Sequence, residues 1–204
     1  MKTKDRILLA AKELFYRYGI KSVTMDDIAK HLSIAKKTIY HFFKNKEDIV
    51  RAFANASLLE NQQRMKKVSA SSENAIDEIM QIMNHLKTMF AQMNPNLFYD
   101  LRKHHHESWK QFGNFKEKFI LNKIETNLQK GIKQKLYRKD INVKILARLR
   151  IEEVEMVFNS EIFPHDKYNF TAVQVALLDH FLHGITTLKG HKLINRYKQI
   201  VEEE

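Results

Sequence analysis

The chain has 204 residues, 44% of them hydrophobic and 29% charged, a globular composition long enough to bury a sizeable core. Its net charge of +11 favours polyanionic partners, nucleic acid before an anionic membrane surface. There is no Cys, which excludes disulfides, thiolate metal sites and cysteine nucleophiles, and Gly (5) and Pro (2) are too scarce for a many-turned β fold.

The positive charge is concentrated at the start. Residues 1–50 carry 11 Lys and Arg against 6 Asp and Glu, whereas residues 51–204 carry 24 against 18. The N-terminus, Met1-Lys2-Thr3-Lys4-Asp5-Arg6, leads into an amphipathic segment and not into a signal-peptide apolar core. No uncharged apolar run is long enough to span a bilayer. A cytoplasmic protein with no membrane partner is expected.

In residues 3–18, Ile7, Leu8, Ala11, Leu14, Phe15 and Tyr18 form one apolar stripe at helical spacing, and Gly19 stops the helix. Thr24 is placed to cap a second helix, with Asp27 three residues on as the partner acid of a capping box. That helix reaches about Leu32. Ser33-Ile34-Ala35 is a short connection, and residues 36–42 form a third helix. Ile28, Ile39, Phe42 and Phe43 are expected in the core. Asn45 is placed to cap a fourth helix that starts at Lys46 and ends near Val68, before the polar break Ser69-Ala70-Ser71-Ser72.

Helices are then expected over 73–93, about 96–106, 108–135, 142–159, 169–188 and 190–201. Asn94-Pro95-Asn96 and Phe163-Pro164 act as stops. Strand-type alternation is absent, so the fold class is all-α. No repeat or low-complexity tract is found.

Three short helices with a tight turn between the second and third describe a helix-turn-helix. The first two bury their apolar stripes and hold the third, whose basic start is suited to enter a major groove. Thr24, Ile28-Ala29, Thr38-Ile39-Tyr40-His41-Phe42-Phe43 and Lys44-Asn45-Lys46 give the stretch a more specific signature. In order and spacing it resembles the DNA-binding region of the TetR/AcrR family of bacterial regulators. The likeness covers about residues 5–53; beyond that the chain is similar only in length, helix count and position of breaks.

Two positions depart from the family pattern. The turn commonly has Gly, then Ser two residues later; here Ser33 and Ala35 stand there. Ser33 costs energy in a left-handed backbone, and Ala35 lacks a capping hydroxyl. Lys37, where Gly or Ala is common, adds a cation in partial compensation.

The resemblance implies a DNA-binding domain at 1–46 and a ligand-binding and dimerisation domain at 47–204. It implies DNA contacts by Thr24, Lys36, Lys37, Thr38, Tyr40, His41 and Lys46, with Lys37 the first choice for a base reader. It also implies a homodimer on a near-palindromic operator, built from helices 142–159 and 169–188. Candidate interface residues are Leu149, Glu153, Met156, Val157, Leu177, His180, Phe181 and Gly184. The Met- and aromatic-rich middle helices offer Met83, Phe90, Phe98, Trp109 and Phe112 for a small apolar effector, with core packing the competing reading of each.

The implied function is a ligand-responsive transcriptional regulator, with repression the commoner output. The alternative is a non-specific basic DNA-binding or helical interaction protein without ligand sensing, against which the Thr24-to-Lys46 spacing argues. No enzyme motif is present: there is no Gly-rich phosphate loop, Gly-x-Ser-x-Gly or His-Glu-x-x-His. No cofactor or metal is expected beyond an effector. His104-His105-His106 point about 100° apart in a helix and are read as an exposed polar run. His180 and His183 share a face, but no acid joins them at obvious spacing.

Overall fold

The computed structural model describes residues 2–159, 161–164 and 166–199. Among them are eleven α-helices: α1 Thr3–Tyr18, α2 Met25–Leu32, α3 Lys36–Phe42, α4 Lys46–Ser71, α5 Ala75–Ala91, α6 Asn96–His104, α7 His106–Phe115, α8 Leu121–Lys133, α9 Val143–Met156, α10 Phe170–Ile185 and α11 Leu188–Lys198. A π-helical turn, Lys116–Ile120, lies between α7 and α8. No strand is present among the described residues beyond one isolated bridge, Tyr137 to Thr186. The expected all-α class is observed. Glu202-Glu203-Glu204 and the expected helical end from 200 onward lie outside the described residues.

The chain forms two compact units, Met1–Asn61 with Phe90–Phe115, and Gln62–Met89 with Lys116–Glu204. In the first, the α1 stripe Ile7, Ala11 and Phe15 meets Ile28 of α2, Ile39 of α3, Ile49, Val50 and Phe53 of α4, and Leu97 and Leu101 of α6. Phe15 and Phe53 meet edge to face at 5.4 Å. Gly19 ends α1 with φ 79, its N–H donating to the Phe15 carbonyl. Tyr18, expected on the apolar stripe, is instead 48% exposed, with the Arg17 guanidinium over its ring. The ring is left at the surface, where its neighbour's cation covers one face.

The second unit packs Ile76, Leu128, Ala147, Leu178, Leu182, Ile185 and Ile194 together. A buried polar chain runs through this core. The Tyr137 hydroxyl donates to Asn127 Oδ1 at 3.1 Å, and the Asn127 amide donates to the Ala75 carbonyl and to Glu78 at 2.9 and 3.2 Å. The Ser69 hydroxyl donates to the other Glu78 oxygen at 2.5 Å. Each buried group is thus satisfied, and burial raises the Tyr137 phenol above its ordinary pKa.

Several boundaries differ from the sequence reading. The polar break begins later, because Ser69, Ala70 and Ser71 continue α4 and the Ser72 amide and hydroxyl close it on the Val68 carbonyl. The helix expected over 108–135 is interrupted by the π-helical turn. That turn is held from α9: the Lys116 ammonium pairs with Glu155, and Arg148 forks both carboxylate oxygens of Glu117 at 2.8 Å. The helices expected at 142–159 and 169–188 are shorter, each capped by an Asn side chain, Asn142 on Ile145 and Asn169 on Ala172.

Ser33 closes α2 in the left-handed region, φ 55 and ψ 42, its amide bonded to the carbonyls of Ala29 and Lys30. This is the strain that the absent Gly implies. Ser33→Gly is therefore expected to raise stability by about 0.5–1 kcal/mol, the relieved left-handed cost outweighing the added unfolded-state entropy. Urea unfolding checks this; an unchanged or lower midpoint would show that the serine carries a compensating contact.

Candidate nucleic-acid interface

Thr24 and Asp27 form the expected capping box. The Thr24 amide and hydroxyl donate to Asp27 Oδ2 at 2.8 and 2.7 Å, and the Asp27 amide donates to Thr24 Oγ1 at 3.2 Å. These bonds to the charged form hold the Asp27 carboxyl below the ordinary carboxylate range. The cap fixes where α2 begins, and Met25, Ile28 and Ala29 then face the core.

The third helix is seven residues long and buries Ile39 alone. Lys36, Lys37, Tyr40 and His41 are exposed and Thr38 is half-buried. The structure therefore brings five of the seven expected DNA-contact residues onto one short helix. Ala35, at its N-cap, makes no side-chain bond, and its carbonyl accepts the Thr38 amide at 2.9 Å. Phe42, expected in the core, is 37% exposed and edge-on to His41 at 5.1 Å, whereas Phe43 is 4% exposed. Phe43 leaves the helix in extended backbone and joins Ile39 in the core, whereas the Phe42 ring lies against His41.

The cations on this surface differ. Lys36 Nζ lies 2.9 Å from Asp26 Oδ1, and the hydrogen bond to that carboxylate raises its pKa. Lys37 is in no ion pair among the described residues. Lys46 is half-buried and donates to the Lys21 carbonyl at 3.2 Å. Burial lowers its pKa, against the opposing pull of Asp100, Asp27 and Glu47. Lys46 thus closes the α1–α2 connection from beneath.

The same region is tied to α6 by residues that the sequence reading does not select. Asp100, 4% exposed, accepts the Lys21 amide at 2.8 Å. The Asn94 amide donates to the Tyr16 carbonyl at 2.6 Å, and its side chain donates to that of Arg17 at 3.3 Å. His105, expected in an exposed run, is buried, and its Nδ1 lies 2.6 Å from Glu47 Oε2. The helix breaks at this residue, which turns its ring inward while His104 and His106 stay exposed. One signal for Asp100 is present in the sequence: a carboxylate sharing the apolar face of Leu97 and Leu101.

Of the pocket candidates, Phe90, Phe98, Phe112 and Trp109 form a ladder in the first unit, with successive centroids 6.4, 5.7 and 5.3 Å apart. Met83 is buried in the core of the second unit. Of the interface candidates, His180 and Gly184 are exposed, and Met156 and Leu177 are half-buried. Val157, Phe181 and the ion-paired Glu153 are buried within the chain itself, Glu153 Oε2 accepting from Arg150 at 3.1 Å. His183 does meet an acid, its Nδ1 lying 3.2 Å from Asp179 Oδ1. Among the described residues no group of three or more His, Asp or Glu is arranged to hold a metal ion. No described helix is long and apolar enough to cross a membrane.

A capped second helix, a short turn and a short exposed basic helix on a shared core define a helix-turn-helix DNA-binding protein. Residues 7–53 match the family described as bacterial regulatory proteins, tetR family. The chain is 31% identical over 134 residues to the HTH-type transcriptional regulator YhgD of Bacillus subtilis, covering 64% of this chain and 69% of YhgD. It is 27% identical over 185 residues to the HTH-type transcriptional regulator YvaF of the same organism, covering 89% of this chain and 94% of YvaF. The fold is similar to that of the transcriptional regulator FadR from Bacillus subtilis, solved in complex with stearoyl-CoA, with TM-score 0.65, 22% identity, and coverage of 89% and 98% of the two chains. The chain belongs to the TetR family of transcriptional regulators.

Proposed function

We propose that the protein is a ligand-responsive repressor that binds a near-palindromic operator as a homodimer. The observation that carries this reading is α3: a helix that spends one residue on the core and presents Lys36, Lys37, Tyr40 and His41 to solvent. With Lys36 partly held by Asp26, Lys37 is the cation free to read base edges. Tyr40, His41 and the capped start of α2 at Thr24 serve the phosphate backbone, and Thr38 stands between the two roles.

A homodimer is supported by α9 and α10. On α10, Ala172, Ala176, His180 and Gly184 form an exposed ridge at four-residue spacing, and a Cβ added to Gly184 would meet nothing within 4 Å. Three of these four residues are small, which lets a second helix approach closely. Met156 and Leu177 lie beside it, with Ile145 and Leu149 exposed on α9 at 64% and 48%. Glu153, Val157 and Phe181 support this face from within. A C2 dimer sets two reading helices on successive major grooves.

The effector is a small apolar molecule received by the Phe90–Phe98–Phe112–Trp109 ladder. Helix α6 carries both Phe98 of that ladder and Asp100 on the Lys21 amide, so a ligand that displaces α6 also perturbs the α1–α2 connection. The domain assignment is likewise a proposal: residues 1–46 read DNA and residues 47–204 sense and dimerise.

Selection of full-length protein against random duplexes tests the reading. Enrichment of one near-palindromic sequence is expected. On that duplex Tyr40→Phe is expected to weaken binding to every sequence alike, whereas Lys37→Ala relaxes the preference at one base position by about 1–3 kcal/mol. Failure to enrich any sequence sinks operator recognition; a uniform loss for Lys37→Ala removes its base-reading role.

A further inference from the structure

The Lys4 ammonium lies 5.5 Å from the ring centroid of Phe43, the residue that closes α3. That contact seats the first turn of α1 beside the end of the exposed basic helix, next to Lys44. Lys2, Lys4 and Lys44 are all exposed, and none is in an ion pair among the described residues. The nearby acid Asp48 is engaged elsewhere, accepting the Lys44 amide at 3.1 Å and pairing with Arg51. Farther along α1 the pattern changes: Lys12 is paired with Glu60 at 2.7 Å. The lysine in the middle of α1 therefore finds a carboxylate, whereas Lys4 and Lys44, at the end of α3, are in no ion pair among the described residues.

We propose that Lys2, Lys4 and Lys44 form a phosphate-gripping arm that holds the DNA backbone bordering the groove entered by α3. This rests on the reading of α3 as the operator-reading helix. Ammonium groups at the end of that helix and at the start of α1, in no ion pair among the described residues, suit a row of phosphates, which point charges bind without regard to base sequence. The Phe43 face fixes Lys4 through a cation–π contact, so part of the ordering cost is met before DNA arrives. The arm adds affinity and register, and leaves base preference to α3.

The test is the salt dependence of binding to the duplex selected above. Lys2→Ala/Lys4→Ala is compared with Lys66→Ala/Lys67→Ala, which removes the same charge from exposed positions late in α4. The arm variant is expected to bind about tenfold more weakly at moderate salt, with the slope of log K against log salt reduced by about 0.9 for each phosphate that is no longer neutralised. Its ranking of mutated duplexes should stay that of the wild type, and ethylation interference should disappear at the bordering phosphates. An unchanged slope, or an equal fall in the Lys66→Ala/Lys67→Ala control, overturns the arm. If no duplex is selected by the wild type, the operator reading itself fails and the arm falls with it.

Discussion

Gly190→Ala is expected to cost about 3 kcal/mol and to lower the thermal midpoint by roughly 6–12 °C. A Cβ at this position would stand 2.3 Å from the Leu136 carbonyl oxygen, a backbone atom that has no rotamer by which to escape. That carbonyl is also fixed by use, because the Thr187 amide donates to it at 3.0 Å. The clash therefore pushes α11 off the segment that follows α8. Gly131→Ala should be comparably harmful: its Cβ would lie 2.0 Å from the Tyr137 ring, which is 1% exposed and held by Asn127. Gly113→Ala is the matched control. Nothing lies within 4 Å of that Cβ, and replacing a helical glycine is expected to add up to about 1 kcal/mol. Differential scanning calorimetry of the three variants checks the order, and equal midpoints for Gly190→Ala and Gly113→Ala would contradict it.

The second large effect is expected at Asp100. Asp100→Ala strips the acceptor from the Lys21 amide, which costs about 1–3 kcal/mol, and removes a carboxylate that opposes the burial of Lys46. Together these amount to about 2–4 kcal/mol, expressed locally at the α1–α2 connection. Hydrogen exchange reads this directly: the Lys21 amide should lose protection while the buried amides of α8 and α10 keep theirs. Asp100→Asn keeps an acceptor and should show a smaller loss. A Lys21 amide equally protected in wild type and Asp100→Ala would mean that α6 does not hold this connection. Operator affinity measured on the same variants separates a loss of fold from a loss of coupling between α6 and the reading helix.

The parts of the site legible in the sequence are those whose cause is local. Thr24 and Asp27 announce a capping box by identity and spacing alone, Gly19 announces a stop, and Ser33 announces strain by not being glycine. The positions misjudged are those decided by what lies opposite. Tyr18 and Phe42 are large and near the right phase, yet both stay exposed. His105 sits in a run that looks solvated, and a helix break invisible to periodicity turns it onto Glu47. Asp100 and Asn94 act across more than 70 residues of sequence, as their bonds to Lys21 and Arg17 show. Such partners cannot be paired from a single sequence, although a lone acid on the Leu97–Leu101 face is a visible irregularity.

The π-helical turn at Lys116–Ile120 has a bearing on how this chain tolerates change in length. A π turn holds one residue more than an α turn, so it is a one-residue insertion absorbed without a loop. Asn127 and Leu128 of α8 face the buried polar chain and core, while Lys116 and Glu117 face the acids and arginine of α9. Deleting a single residue within the turn would restore regular α geometry and keep both sets in phase with their partners. The helix would survive as a helix with both attachments. A one-residue deletion here is therefore better tolerated than one in a regular α-helix, which swings everything beyond it by about 100°.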